Sequence, residues 1–437
     1  MGCVLVFRDF NANGTFDTGA GVNETGMEGV TVKAFAADDS PSSPTATTTS
    51  GTDGTYTLSG LTPGADYRVE FSWAGDWLKP GVAGGTSVQF VKEGASEVNL
   101  AVNNPAQYIA HDTPEVAVAV HSGSAHYGDE YVVVQLSETA GSSSSSSFAE
   151  YGEPGHVTLA QEQQIGAVWG LAHDRMRNRL LAGAFIKRFT RLAGNPTTIF
   201  SVPVDGGTPS EWVTLDSGRS DPHGSPDWEK DFAVIPAVGK EGLGDVDIAE
   251  DGREVYTIDL KTREFVRIPV NPDGSAGTPV KLALPVNAVP NCTGVDDVRP
   301  MGLGVNDGKV YVGMVCTAES TVNGLPIGGS DARKGDSAQL RGYVYAWDGV
   351  TDFSLLLNFP LNYERGCLNH GGMDHCNTFG NAAWQAWTPV YPFSGKTTDA
   401  HGYPQPVIAD IDFVNGDMVL GLLDRFGHMD GSHVSEP

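Results

Sequence analysis

Asp9-Phe-Asn11-Ala-Asn13-Gly14-Thr15-Phe-Asp17 is the run of residues best spaced for chemistry. Oxygen-bearing side chains fall at its first, third, fifth and ninth positions, glycine at its sixth, and Thr15 is placed to offer a backbone carbonyl. Calcium takes about six to eight oxygens, and alternate residues of a tight loop converge on one point. An EF-hand would carry glutamate at the twelfth position, which is Ala20 here, and no helical periodicity flanks the loop. The pattern predicts a calcium loop between β-strands, with the missing carboxylate supplied from nearby, Glu24 or Glu28. The ion's expected role is structural, tying down a loop that carboxylate repulsion would splay. The competing reading is a turn in which Asn and Asp satisfy their own backbone.

Cysteine chemistry is the next signal. Cys367-Leu-Asn-His370-Gly-Gly-Met-Asp374-His375-Cys376 holds metal-capable side chains, and zinc accepts two Cys and two His. Its cysteines lie nine apart in a glycine-rich loop without a Cys-x-x-Cys pair, so a disulfide between Cys367 and Cys376 is expected instead. Cys292 and Cys316 are expected to bridge neighbouring strands or a loop, which leaves Cys3 over. Two bridges imply an oxidising compartment.

The elements that must hold these groups are strands. Through residue 103, Gly2–Phe7, Gly29–Phe35, Gly54–Leu58 and Tyr67–Phe71 alternate apolar and polar residues between Gly, Pro, Asn and Asp, which predicts a β-sandwich over 1–103. Over 104–160, Glu115–Val120 and Glu130–Leu136 could pair as a hairpin, followed by a serine-rich linker, and the domain boundary is expected here. From 161 to 437 a loose repeat recurs: Trp169-Gly-Leu-Ala-His-Asp, Gly244-Asp-Val-Asp, Met301-Gly-Leu-Gly-Val-Asn, and Ala409-Asp-Ile-Asp, each followed by a polar turn and a second strand. Such units predict a β-propeller with long loops between blades. The fourth unit has barely begun when the chain ends, so either the ring is incomplete here or the chain is a fragment of a longer protein, and the fragment is the expectation. The expected fold class is all-β, a sandwich followed by a propeller.

Charged residues at inner strand ends surround a propeller's channel. Asp245, Asp247, Arg299, Asp410, Asp412, Arg425 and His428 could converge there as a ligand site; the aspartates could equally close turns and pair with arginine. Trp384, Trp387, Tyr391 and Tyr403, set among Pro and Gly, could stack on sugars, anchor a partner protein or cover one face. No Ser/His/Asp order, phosphate loop or His-Glu-x-x-His motif is present, and no catalytic residue or organic cofactor is assigned.

Composition narrows the function classes. The 437 residues carry 54 Asp plus Glu against 27 Lys plus Arg, a formal charge of −27. That balance argues against nucleic acid and anionic membranes as partners and suits hard cations. An apolar content of 40% rules out wholesale disorder, and no apolar run has the length of a transmembrane segment.

The first hundred residues resemble a known family. Asp9-x-Asn11-x-Asn13-Gly14, Glu24-x-Gly26-Met-x-Gly29-Val-Thr-Val and Thr52-Asp-Gly-x-Tyr56-x-Leu-x-x-Leu61-x-Pro-Gly64-x-x-Tyr67-x-Val69 look like the SdrD B-like domain of bacterial surface proteins, over residues 2–103. The resemblance implies a calcium-stabilised immunoglobulin-like sandwich used as a stalk or spacer, with Asp9, Asn11, Asn13, Asp17 and Glu24 as ligands. This chain departs from the pattern by an extra segment, about Thr18–Asn23. The remainder is similar, through Val168–Ala172, Gly183–Arg188, Gly244–Asp247, Arg299–Leu303 and Asp424–His428, to propeller regions that follow such domains. The expected function is that of a secreted or cell-surface binding, adhesion or structural protein, whose partner is an extracellular protein or carbohydrate. The alternatives are an extracellular hydrolase or lyase with a channel site, and a subunit of a self-assembling surface filament.

Overall fold

Apolar runs that are short, alternating and cut by Gly, Pro, Asn and Asp become strands throughout this chain. The computed structural model describes residues 4–19, 22–81, 85–108, 114–121, 130–140, 155–224, 231–324, 335–365, 369–370, 373–374, 383–392 and 403–429. It is all-β and divides into two units, Met1–Ala110 with Phe413–Val419, and His111–Asp412 with Leu420–Pro437.

The first unit is a sandwich. Its strands are β1 (Val4–Arg8), β2 (Thr18–Gly19), β3 (Val22–Asn23), β4 (Thr31–Ala36), β5 (Ala46–Thr49), β6 (Thr55–Tyr56), β7 (Asp66–Ser72), β8 (Lys79–Pro80), β9 (Val88–Lys92) and β10 (Leu100–Asn103). One sheet runs β6-β1-β10-β8 and the other β5-β4-β7-β9. Pairing is antiparallel except between β1 and β10, where Val6 aligns with Leu100. The period of two sends Val32 and Ala34, and Tyr67, Val69 and Phe71, inward from one sheet to meet Val4, Val6, Leu100 and Val102 of the other. Each of the valines, Leu100 and Phe71 contributes about 1.5–3 kcal/mol through burial. The glycine of Thr52-Asp53-Gly54 has a steric reason: its φ is +74°, and a Cβ there would stand 2.1 Å from the Val6 carbonyl oxygen.

The second unit is a succession of antiparallel meanders. A three-stranded sheet holds β11 (Glu115–Ala119), β12 (Tyr131–Ser137) and β13 (His156–Gln161). Three four-stranded sheets follow. The first contains β14 (Val168–Asp174), β15 (Arg179–Ala184), β16 (Thr198–Pro203) and β17 (Ser210–Thr214). The next has β18 (Leu243–Ile248), β19 (Glu254–Asp259), β20 (Glu264–Pro269) and β21 (Val280–Ala283). The third has β22 (Val298–Asn306), β23 (Lys309–Cys316), β24 (Arg341–Trp347) and β25 (Phe353–Pro360). A small ribbon, β26 (Asn369–His370) with β27 (Met373–Asp374), precedes the hairpin of β28 (Pro406–Val414) and β29 (Asp417–Asp424). The four sequence repeats are therefore the opening hairpins of four successive sheets.

Glycine in those repeats lets one first strand lie against the next. A Cβ on Gly170 of β14 would stand 2.1 Å from the Val246 nitrogen of β18, one on Gly244 2.7 Å from the Met301 oxygen of β22, and one on Gly302 2.8 Å from the Asp410 nitrogen of β28. The facing sheets bury apolar layers, such as Ala172, Leu181 and Ile199 against Leu243, Val246 and Val255. Trp384, Trp387 and Tyr403 are buried, so they are packing residues.

Cys292 and Cys316 form a disulfide with their Cα atoms 5.8 Å apart. The expected Cys367–Cys376 bridge, its zinc alternative and Cys3 lie outside the described residues. Closing a loop of 24 residues removes chain entropy from the unfolded state, so reduction is expected to lower stability by about 3 kcal/mol. Urea unfolding with and without reductant measures this; an unchanged midpoint would show that the bridge constrains nothing.

Candidate functional site

The loop after β1 is the first candidate. Backbone bonding of Asp9 N to Val102 O (2.9 Å) fastens its start to β10. Asp9 accepts from the amides of Asn13 (3.2 Å) and Gly14 (2.9 Å), and Asn11 and Asn13 direct side-chain amides to Asp17 at 2.9 and 2.7 Å. The extra segment folds as the β2–β3 ribbon and returns the chain so that Glu24 lies against the loop. Its carboxylate accepts from Phe10 N (3.0 Å) and Asp17 N (2.9 Å). Asp9 and Glu24 are 1% and 3% exposed, and among the described residues neither has a cationic side chain within ion-pair distance. Burial raises the Glu24 pKa, and the charges of Asp9 and Asp17 raise it further against the opposing backbone bonds. Three carboxylates with amide and carbonyl oxygens, none ion-paired to a cationic side chain among the described residues, are a donor set suited to a hard divalent ion. Among the described residues no trio of His, Cys, Asp and Glu suffices to hold a metal alone, so Asn11, Asn13 and Thr15 would have to complete the shell. Glu28 is exposed.

The seven charged residues of the second unit separate into three places. Asp245, Asp247, Asp410 and Asp412 share a cavity of about 470 Å³ with Trp169 and with Ala117, Val118 and Ala119 of β11. Asp245 accepts from Val246 N (2.9 Å) and Leu303 N (3.2 Å), and Asp247 from Ile248 N (2.7 Å). Burial holds the Asp245 carboxyl well above its ordinary range, with Asp410 and Asp247 adding to it. The Asp247 carboxyl is pushed up to about 7, chiefly by burial and then by Asp410 and Asp412. Asp410 is raised too, although it hydrogen-bonds to Asp245. Elsewhere in this unit aspartates do pair with cations: Asp174 with Arg177 and Arg179, and Asp259 with Arg219 and Lys281.

Arg299 and Arg425 are not among the cavity's lining residues and interact electrostatically with Lys240 and Glu319 instead. His428 packs edge-on against His121, Trp169 and Phe185, with ring centroids 5.1, 5.7 and 5.1 Å away. Burial lowers its pKa well below the ordinary histidine range, with His121 and Lys187 adding to the effect. Trp169 also reaches Ala409 O of β28 at 3.5 Å. Sequence reasoning did not find Lys240, Glu319, His121 or Lys187 as neighbours of these groups, because nothing in their spacing marks them.

Residues 4–99 match the family model of the SdrD B-like domain. Among curated proteins, Colossin-A of Dictyostelium discoideum is 25% identical over 474 residues, covering 99% of this chain and 4% of its own length. Colossin-B of the same organism is 28% identical over 437 residues, covering 96% of this chain and 10% of its own length. The chain thus spans a tenth or less of these two relatives. Among solved structures, a nidogen/laminin complex aligns over 70% of this chain and 91% of its own with 13% identity and a TM-score of 0.30, too slight a likeness to carry an argument.

Proposed function

We propose that this chain is a calcium-stabilised module of a secreted or cell-surface protein, in which the sandwich serves as a structural spacer and presents a propeller-type ring that binds an extracellular protein or carbohydrate. The observation that carries the reading is the buried pair Asp9 and Glu24 beside Asp17, with no ion-paired cationic side chain among the described residues, in a segment that matches the SdrD B-like domain. Asp9, Asn11, Asn13, Thr15, Asp17 and Glu24 would hold the ion, whose chemistry is neutralisation and cross-linking of the loop. The ring reading draws on the four successive first strands and on β11 facing one cavity. No helix among the described residues is long and apolar enough to cross a membrane. The relatives come from Dictyostelium discoideum, so the reading is not tied to a bacterial source.

Isothermal titration of the chelator-treated chain tests it. One saturable calcium site is expected, lost in Asp9→Asn, which keeps side-chain size and removes a charge. No saturable heat up to millimolar calcium would overturn the calcium reading.

A second reading, an extracellular hydrolase or lyase, draws on the hydrogen-bonded carboxyls of Asp245 and Asp410 at the cavity. Turnover of an extracellular glycan or peptide that disappears in Asp245→Asn would favour it.

A further inference from the structure

Two of the charged residues singled out in the sequence belong to a cluster that neither the calcium loop nor the acidic cavity uses. Arg425, just past β29, is 1% exposed. Its Nε donates to Val238 O at 2.7 Å and its Nη1 to Thr388 O at 3.1 Å and Gln405 Oε1 at 2.5 Å, while the guanidinium lies 4.5 Å from the centre of the Trp387 ring. The remaining nitrogen, Nη2, is buried and has no hydrogen-bond partner. Arg299, at the start of β22, likewise buries an Nε without a partner. Lys240, two residues past Val238, ion-pairs with Glu319 at 2.5 Å. The three cations act on one another: Arg425 and Arg299 both depress the Lys240 ammonium, after burial as the main cause.

The carboxylates around this cluster are already engaged. Glu319 answers Lys240. Asp424 pairs with Arg365 at 3.2 Å and accepts from Gln405 N and Phe426 N. Asp296 lies 3.4 Å from Arg263, and Asp297 accepts from Ser320 N and Oγ at 2.9 and 2.6 Å. Two guanidinium N–H groups are left unanswered within electrostatic reach of the Lys240 ammonium, an arrangement costly to leave unmade inside a protein. What answers such donors best is an oxyanion, which accepts from guanidinium edges and an ammonium together. We propose that Arg299, Arg425 and Lys240 form a binding site for an oxyanion, the carboxylate or sulfate group of a ligand. In a chain of net charge −27, diffuse attraction does not gather anions, so binding there requires this local cluster. The proposal stands independently of the calcium reading.

Thermal melts of the full chain in EDTA test it, comparing sodium sulfate and sodium glucuronate with sodium chloride at equal ionic strength. A saturable rise on the order of 5 °C above the chloride series is expected for at least one anion. In Arg299→Gln its midpoint should move to roughly tenfold higher concentration or more. A response to sulfate alone assigns a sulfate group, and one to glucuronate alone a carboxylate. General salting effects of sulfate act on both proteins alike, so an identical titration in the variant overturns the site, as does a response no larger than that to chloride. Should Arg299→Gln fail to fold, Arg299→Lys carries the same comparison, because it keeps the charge and loses the planar fork.

Discussion

In millimolar calcium the first unit is expected to melt about 10–20 °C above its melting temperature in EDTA. A ligand present at a hundred times its Kd stabilises the state that binds it by about 2.7 kcal/mol. In a domain of about 100 residues, each kcal/mol moves the midpoint by about 4–8 °C. The lever is long because the loop is not a free surface turn: Asp9 is bonded to β10, and Glu24 bonds to both ends of the loop through Phe10 N and Asp17 N. Opening the loop therefore frees the end of β1 from β10 at Val102. The pH dependence carries its own sign. Glu24 has a raised pKa in the folded state, so without calcium its contribution is fully present below the unfolded pKa and is lost as pH rises through the folded one. Calcium binds the ionised form and reverses that trend. Glu24→Gln is expected to lose most of the calcium-dependent rise. In EDTA the relief of carboxylate repulsion is opposed by loss of one of the two backbone bonds, since an amide offers a single oxygen to Phe10 N and Asp17 N. Calorimetry with equal melting temperatures in EDTA and calcium would reduce the loop to an Asx turn.

How far the sequence could be read depended on which direction a side chain is forced to take. Asp9, Asn11, Asn13 and Asp17 were legible as one set because a tight loop with glycine at its sixth position leaves alternate side chains little choice. Asp245 with Asp247, and Asp410 with Asp412, were legible for the strand's own reason: residues two apart share a face. The same rule says nothing about Arg425 and His428, which follow the end of β29, where the backbone has left the strand. They turn toward different neighbours, Trp387 in one case and His121 with Phe185 in the other. Glycine in the repeats was visible as a pattern, yet its cause, contact between first strands of successive sheets, is long-range and appears only in the folded chain. The pairing of Lys240 with Glu319 spans 79 residues without any motif. The extra segment before Glu24 illustrates the opposite case, since an even insertion that folds as a two-stranded ribbon returns the chain to its starting point and leaves Glu24 against the loop.

Asp247→Asn is expected to stabilise the second unit at pH 8 by about 2–4 kcal/mol, and by less than about 1 kcal/mol near pH 4. The carboxyl is held at about 7 against a reference of 3.8. Between those values the folded state binds the extra proton, so the associated stability is fully present below the reference and is lost as pH rises through 7. Each pKa unit is worth about 1.4 kcal/mol, and the lower part of the stated range allows for a half-buried group on a cavity wall. Asparagine retains an oxygen for the Ile248 amide, which bonds Asp247 at 2.7 Å, and removes one charge from a set of four. Asp245 should then ionise more readily, because it loses a like-charged neighbour. A chain that pairs Asp174 and Asp259 with arginine and lysine can evidently supply counter-charge where structure alone is at stake. Among the described residues Asp245, Asp247 and Asp410 have no such ion pair, so the cost of ionising them falls on the fold itself. Urea unfolding of parent and variant across pH 4–8 measures the effect. A gain of equal size at both ends of that range would show that repacking, and not the relief of carboxylate repulsion, is its source.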